Sequence, residues 1–179
     1  EEHMDTGLGH LVEIEALDLD GVRRACEVLR AAEVEAVAVC FMNAFANAAH
    51  EDAAAAIVRT ELPDAYVSVS SEVLPSIRFY NRLSTTVLNA YVGPVLRTYL
   101  TSLQRRLAGA GFGGVLLIMQ SSGGVGHPDA ILERPATTLL SGPAAGPNAA
   151  LSVTDPGGQR SALLVDMGGT SFDVSLVRN

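Results

Sequence analysis

The chain has 179 residues, of which 48% are hydrophobic and 18% charged, and its net charge at pH 7 is −8. The apolar share excludes a disordered chain, and the acidic balance disfavours a broad nucleic-acid surface. All twelve basic residues are arginine, which excludes a P-loop lysine, a Schiff base and a lysine general base. A polyanionic ligand would therefore need backbone donors and a metal ion.

The cysteines and the apolar runs predict a cytoplasmic location. Cys26 and Cys40 are too few for a disulfide framework or a cysteine-built zinc site, and we interpret them as buried free thiols in a reducing compartment. The longest uncharged run, from Leu107 to Pro128, is interrupted by seven glycines and by polar residues, so we do not interpret it as a membrane span. We also find no secretory leader, and we expect neither a membrane nor a nucleic acid as partner.

The first predicted element is a helix near residue 20. Asp18 or Asp20 can cap it, and its apolar positions are Val22, Cys26 and Leu29. This helix opens an alternation of helices and strands, which is typical of an α/β fold.

A strand, a helix and a second strand follow. The run 36–41 is apolar on both faces, which favours a central strand of a parallel sheet covered by helices. Asn47 can cap a helix that ends before Pro63. The alternating run 66–70 predicts a more exposed strand.

The strongest periodic pattern predicts one long amphipathic helix with a wide apolar face. Apolar residues recur there at every fourth position: Val87, Tyr91, Val95, Tyr99, Leu103 and Leu107. Pro94 should kink or divide this helix, and the glycines between 109 and 114 should end it. We predict a buried strand over 115–119, a short helix from Ser141, a buried strand over 162–165 and a further strand over 172–177.

The turn between the last two strands carries the residues best suited to chemistry. Asp166 ends an apolar strand, Gly168 and Gly169 allow close approach of a ligand to the backbone, and Asp173 lies on the returning strand. Successive N–H groups in a turn form an anion site suited to phosphate, and paired carboxylates fit that site when a hard cation such as Mg²⁺ is present. The alternative is an ordinary glycine hairpin turn that binds nothing.

Four stretches in one order resemble the hydantoinase/oxoprolinase family of the actin-like ATPase superfamily. They are Ser71–Pro75 with Ile77, Arg78, Tyr80 and Thr85–Tyr91; Leu117–Ser121 with Gly123 and Gly124; Arg134-Pro135 with Thr138–Gly146; and Asp166–Asp173. Together they are far more specific than the hairpin alone. The chain is identified on this basis as a member of that family from about Val34 onward.

The resemblance implies an ATP-dependent enzyme with two RNase H-like lobes, each a mixed sheet with flanking helices. Relatives open a cyclic amide such as a hydantoin or 5-oxoproline, or serve in ATP-dependent carboxylation of ketones. Carried over to this chain, Gly168, Gly169, Thr170 and Ser171 would hold the phosphates of ATP. Asp166 would face Mg²⁺ or the attacking group, and Asp166 and Asp173 are the catalytic candidates.

The resemblance also implies a domain division and a set of partners. Residues 1–83 would be the C-terminal part of the family's N-terminal region, and residues 84–179 the N-terminal part of its core domain. Because the family's first phosphate hairpin is not found, we expect an internal segment of a larger two-lobe enzyme that is inactive by itself. A cyclic amide substrate, a second enzyme subunit and a homo-oligomer are the expected partners.

Phe172 bears on the branch of the family. Members similar to oxoprolinase typically have Thr there, whereas the hydantoinase and ketone carboxylase branches more often have Phe. A hydantoinase-type hydrolase is therefore the main hypothesis and a ketone carboxylase subunit the first alternative. A chaperone-like ATPase and a non-catalytic scaffold are the remaining alternatives.

Other polar groups have both a functional and a structural interpretation. Arg78 and Arg82 can bind a carboxylate or phosphate together, or they belong to a salt-bridge cluster between lobes or to a solvated loop, and we favour these structural interpretations. The loop 121–124 follows a predicted strand and is either a ligand contact or a simple turn. Ser141 is more easily explained as a helix cap than as an anion site, and the four histidines share no metal-ligand spacing.

Overall fold

The computed structural model describes residues 3–5, 12–154 and 161–178, which form a mixed α/β structure. The chain divides into two compact units, Glu1–Tyr99 and Leu100–Asn179. Within the described ranges, no helix is long and apolar enough to cross a bilayer. In chain order the elements are β1 (His3–Asp5), β2 (Val12–Glu15), α1 (Leu19–Ala31), β3 (Ala36–Val39), α2 (Ala49–Glu61), β4 (Tyr66–Val69), α3 (Ser70–Val73), α4 (Phe79–Gly109), β5 (Ile118–Met119), β6 (Val125–Gly126), α5 (Pro128–Glu133), a 3₁₀ turn (Pro135–Thr138), α6 (Ser141–Thr154), β7 (Ala162–Met167) and β8 (Phe172–Val177).

The first unit is built on two parallel strands. The parallel pairing agrees with the prediction from the run 36–41, but among the described residues β3 pairs with β4 alone and is therefore not a central strand. β3 and β4 pair in parallel from Ala36 opposite Tyr66 to Val39 opposite Val69. One face of this pair packs against α1 and α2. The buried core on that side consists of Cys26, Val39, Ala54, Val58 and Leu62.

The two helices of this core begin close to their predicted caps. Asp18 is the N-cap of α1 and accepts a 2.8 Å hydrogen bond from the Gly21 N–H. The N-cap of α2 is Ala48, one residue after the predicted Asn47. Asn47 nevertheless accepts a 3.0 Å hydrogen bond from the Ala49 N–H through its side chain, so its polar group still binds the start of the helix.

The opposite face of the sheet is covered by α4, so the prediction that β4 is the more exposed strand is wrong. Asn89 of α4 donates a 2.8 Å hydrogen bond to the Ser68 hydroxyl. The Tyr66 ring packs beneath Arg97, whose guanidinium carbon lies 4.8 Å from the ring centroid. The alternation within this strand does not reveal a helix about twenty residues further along the chain, and that helix covers Tyr66 and Ser68, which are both buried.

The long helix is confirmed, but its apolar stripe does not face the sheet. α4 runs from Phe79 to Gly109 and contains Pro94 without being divided. The side chains buried in the first unit are small or polar: Arg82, Thr86, Asn89 and Ala90. The predicted apolar stripe lies instead on the outside, with Val87, Tyr91, Val95 and Tyr99 exposed.

A fully buried carboxylate joins the carboxyl ends of β3 and β4. Glu51 of α2 is 0% exposed. Its carboxylate accepts hydrogen bonds from the Phe41 N–H at 2.7 Å, the Ser70 hydroxyl at 2.5 Å and the Ser71 N–H at 2.8 Å. These bonds fix the chain just after both strands, and the sequence pattern gives no indication of them.

The second unit contains two short antiparallel hairpins and α6. β5 pairs with β6, and β7 pairs with β8. The predicted buried strand over 115–119 is wrong, because only Ile118 and Met119 find a partner strand, and Val115 is 75% exposed.

The predicted burial of 162–165 is also wrong on one side of the strand. α6 packs on one face of the β7–β8 hairpin. The other face, here called the outer hairpin face, exposes Leu163, Val165, Met167, Phe172, Val174 and Leu176.

Candidate functional site

The residues predicted to bind phosphate form the open end of the β7–β8 hairpin. Asp166 lies opposite Asp173 and Met167 opposite Phe172, so the turn consists of residues 168–171. The Gly168 N–H donates a 3.0 Å hydrogen bond to the Ser171 carbonyl, which closes the turn. This turn is here called the hairpin tip.

The hairpin tip presents free backbone donors. The N–H groups of Gly169 and Thr170 make no hydrogen bond within the described part of the chain. A Cβ atom added to Gly169 would meet no atom within 4 Å, and one added to Gly168 would meet only the Ser171 carbonyl oxygen, at 3.8 Å. An anion can therefore approach these amides closely.

The two carboxylates share one face of the hairpin. Residues directly opposite each other in an antiparallel pair point to the same side, with Cβ atoms about 5 Å apart. Neither Asp166 nor Asp173 forms a salt bridge with a basic side chain among the residues that the structure describes. Two like charges in this arrangement repel each other, and a cation between them removes that repulsion.

The Ser171 hydroxyl is already engaged within the site. It donates a 3.0 Å hydrogen bond to Oδ2 of Asp173. This bond orients the Asp173 carboxylate and leaves the backbone of Ser171, rather than its hydroxyl, for an incoming anion. The Thr170 side chain, by contrast, is exposed at the tip.

α6 supports the hairpin through a close glycine contact. Leu164 lies two residues before Asp166, on the same face of β7. A Cβ atom added to Gly146 of α6 would overlap the end of the Leu164 side chain, so a larger residue at this position would require the Leu164 side chain to move. The two carboxylates therefore lie on the face of the hairpin that α6 covers further along the strands.

The loop 121–124 is attached to the same helix. Asn148 of α6 donates a 2.5 Å hydrogen bond to the Gly123 carbonyl. Gly123 has φ +81, and a Cβ atom there would lie 3.3 Å from the Ala144 carbonyl oxygen. The Ser121 N–H is bonded to the Thr137 carbonyl at 2.6 Å. Two of the predicted loops are thus held by one helix, one at Gly123 and the other through Leu164.

Asn148 is not identified from the sequence as a residue that holds the loop 121–124. Its bond joins residues 25 positions apart, so no local pattern identifies it. The one available signal is a polar side chain between Pro147 and Ala149, in an otherwise apolar part of α6.

The arginine pair is not a surface pair. Arg82 is 0% exposed, whereas Arg78 is exposed. Arg82 donates to the carbonyls of Phe41, Met42 and Ser76, at 2.6 Å for Met42 and 2.9 Å for Ser76. Its guanidinium also lies 5.6 and 5.7 Å from two phenylalanine ring centroids, and these contacts give Arg82 a structural role in the first unit.

The described residues, those of the hairpin included, contain no cluster of metal-binding side chains. No group of three or more His, Cys, Asp or Glu side chains there lies close enough together to bind a metal ion. A metal ion bound by the two hairpin carboxylates would therefore need further ligands, such as water or a phosphate oxygen.

Comparison with known proteins supports the motif-based resemblance. A family model described as hydantoinase/oxoprolinase matches residues 82–179, and its N-terminal region matches residues 4–62. Caprolactamase subunit alpha of Pseudomonas jessenii is 40% identical over 164 residues, which are 92% of this chain and 24% of the relative. The 5-oxoprolinase of Saccharomyces cerevisiae is 35% identical over 159 residues, which are 88% of this chain and 12% of the relative.

Two solved structures share the fold. The ATP-dependent caprolactamase from Pseudomonas jessenii has a TM-score of 0.86 at 37% identity, covering 98% of this chain and 25% of that one. The nucleotide-free structure of acetone carboxylase, from a study of ATP-dependent acetone carboxylation, also has a TM-score of 0.86, at 25% identity, covering 99% of this chain and 25% of that one. The chain therefore spans about a quarter of the caprolactamase relative. It belongs to the hydantoinase/oxoprolinase family.

Proposed function

We propose that this chain carries part of the nucleotide site of an ATP-dependent hydrolase that opens a cyclic amide of the hydantoin, N-methylhydantoin or 5-oxoproline type. The observation that carries the proposal is the open hairpin tip, with free amides at Gly169 and Thr170 beside two opposed carboxylates. Family membership supports ATP as the ligand, since the names of relatives include an ATP-dependent caprolactamase and a 5-oxoprolinase.

Each residue of the tip has a defined role in this proposal. The N–H groups of Gly169 and Thr170 donate to phosphate oxygens, while Gly168 holds the turn through its bond to Ser171. Asp166 would bind Mg²⁺, directly or through water, and would accept a proton from an attacking water or substrate oxygen. When bound, ATP supplies the phosphoryl group that activates an oxygen of the substrate.

Asp173 completes the catalytic pair. The hydrogen bond from Ser171 holds its carboxylate in one orientation, and Asp173 and Asp166 would together attract a cation bound at the tip. The fit of Mg²⁺ rests on this donor set: two hard oxygen ligands without a basic partner among the described side chains. The metal and the backbone amides of the tip would together offset the negative charge of the phosphates.

A ketone carboxylase subunit is the second candidate. Phe172 supports this candidate, because members of the hydantoinase and carboxylase branches more often have phenylalanine at this position. Acetone carboxylase also shares the fold, with a TM-score of 0.86. Dependence of ATP turnover on inorganic carbon would identify this candidate, whereas turnover stimulated by a hydantoin or lactam without inorganic carbon would exclude it.

The proposal extends to a second enzyme subunit and to a cytoplasmic location. The caprolactamase relative is named as a subunit alpha, which supports a multi-subunit enzyme. The free thiols of Cys26 and Cys40 support a reducing compartment.

The function is tested in a polypeptide of the relatives' length that contains these residues. We expect substrate-dependent ATP hydrolysis that falls at least about a hundredfold in Asp166→Asn, because an electrostatic contact to the transferring group is lost. The control is Asp129→Asn, an exposed carboxylate of α5 in the same unit, which should retain activity. Equal turnover in Asp166→Asn and the wild type would contradict the proposal.

A further inference from the structure

The hydroxyl group of Ser171 is used within the hairpin itself. It donates a 3.0 Å hydrogen bond to Oδ2 of Asp173, and the Ser171 carbonyl accepts from the Gly168 N–H at 3.0 Å. A hydroxyl has a single hydrogen to donate, and phosphate oxygens act as acceptors that need a donor. The Ser171 hydroxyl therefore cannot donate to a phosphate oxygen while it holds the Asp173 carboxylate.

The neighbouring hydroxyl of Thr170 is not engaged in this way. Thr170 is exposed at the hairpin tip, and its side chain forms no hydrogen bond within the part of the chain that the structure describes. It lies beside the free N–H groups of Gly169 and Thr170. An anion that accepts from these amides can also accept from the Thr170 hydroxyl.

The two carboxylates of the hairpin also differ in how firmly they are held. Asp173 is half-buried and bonded to Ser171, whereas Asp166 is exposed and its carboxylate accepts no hydrogen bond from the described residues. Because the bond from Ser171 uses Oδ2 of Asp173, Oδ1 stays available for a cation. A ligand that is already oriented loses less conformational entropy when the cation binds.

We propose that the two hydroxyls of the hairpin tip have different roles: Thr170 donates to phosphate, and Ser171 is a positioning residue that holds Asp173 for the metal ion. This inference rests on the proposed function and refines it, since the resemblance assigns both residues to phosphate. Removing a group that orients a metal ligand typically lowers metal affinity by about ten- to a hundredfold. Ser171 should therefore affect binding only through Asp173.

A double-mutant cycle separates the two roles, in a polypeptide of the relatives' length that contains these residues. The measurement is the affinity for inorganic triphosphate in saturating Mg²⁺, by titration calorimetry. Ser171→Ala should weaken binding about tenfold, but it should have no further effect when Asp173→Asn is present, because no carboxylate is then left to orient. Thr170→Val, which keeps the side-chain shape, should weaken binding about tenfold in both backgrounds.

Ser171→Thr is the matched control, because it keeps the hydroxyl group, and it should bind triphosphate as the wild type does. Ser171 is exposed and its bond to Gly168 is made by the backbone, so neither substitution at this position should disturb the fold.

Two results would overturn the inference and leave the proposed function standing. One is an effect of Ser171→Ala that persists in full beside Asp173→Asn, since the hydroxyl would then act on phosphate directly. The other is an unchanged affinity in Ser171→Ala. A wild type that binds no triphosphate in Mg²⁺ would instead contradict the proposed function, and this inference with it.

Discussion

Two fully buried ionic side chains fix the loop that follows β3. The Glu51 carboxylate accepts from the Phe41 N–H, and the Arg82 guanidinium donates to the Phe41 and Met42 carbonyls. No direct salt bridge joins Glu51 and Arg82 in the described part of the chain. Each charge is therefore stabilised mainly by backbone dipoles, and the segment between them is held from both sides.

Replacing Glu51 by Gln should destabilise the first unit by about 2 kcal/mol. The glutamine NH₂ group would replace a carboxylate oxygen that accepts a hydrogen bond, and two hydrogen-bond donors would then face each other. The measurement is the free energy of unfolding in urea. The control is Glu72→Gln, whose exposed carboxylate is paired with Arg59 at 3.4 Å and should change stability little. Equal effects of the two substitutions would contradict the role assigned to Glu51.

The cap of α1 should make stability depend on pH in the acidic range. The hydrogen bond from the Gly21 N–H, together with the Arg24 guanidinium, lowers the pKa of Asp18 below its ordinary value of 3.8. A group whose pKa is lowered on folding adds stability above the unfolded-state pKa, and this contribution is lost as the pH falls through the folded-state pKa.

The pH prediction is checked by comparing the wild type with Asp18→Asn. The wild type should have the higher urea midpoint at pH 6, and the difference should disappear as the pH falls below the folded-state pKa of Asp18. A difference that stays constant from pH 6 to pH 2 would show that the charge of Asp18 does not contribute.

Much of the hairpin tip could be predicted at the residue scale because its signals are local. The glycines, the flanking carboxylates and the following strand are adjacent in sequence, and the structure places Asp166 opposite Asp173. The contacts of Glu51 and Asn148 could not be predicted in this way, because their partners lie 10 to 25 residues away.

At the scale of elements, α4 shows that periodicity predicts a helix but not its orientation. The fourfold spacing of apolar residues predicts the helix, yet the buried side is the one carrying Arg82, Thr86 and Asn89. The side chains of these residues find specific hydrogen-bond partners on the helix itself, on β4 and in the loops before α4. A hydrophobicity pattern contains no information about these hydrogen bonds, so it predicts that the apolar face of α4 is buried instead of the polar one.

The contact between α4 and β4 gives a sharp stability test. A Cβ atom at Gly93 would lie 2.5 Å from the Tyr66 ring, so Gly93→Ala should cost about 1–3 kcal/mol through overpacking. Gly109, in the last position of the same helix, has no atom within 4 Å of such a Cβ, and Gly109→Ala should be neutral or stabilising by up to about 1 kcal/mol. Equal effects on the free energy of unfolding would contradict the packing described for Tyr66.

At the scale of the whole molecule, the two compact units of the structure do not coincide with the two regions that match the family. The units meet in sequence at Tyr99 and Leu100, within α4, whereas the matched regions are 4–62 and 82–179. The division at residues 83 and 84 stays a prediction. Family membership could be predicted from the sequence because it depends on motifs in a fixed order rather than on packing.

In the proposed function, the hairpin tip binds a metal-bound triphosphate group. The most direct test follows the backbone amide signals of Gly168, Gly169 and Thr170 by ¹H–¹⁵N NMR while inorganic triphosphate is added, with and without Mg²⁺. We predict saturable, Mg²⁺-dependent shifts centred on these residues in the wild type and in Asp129→Asn, and affinity at least about tenfold weaker in Asp166→Asn. Unshifted tip signals in the wild type, or equal titrations for the wild type and Asp166→Asn, would contradict the claim.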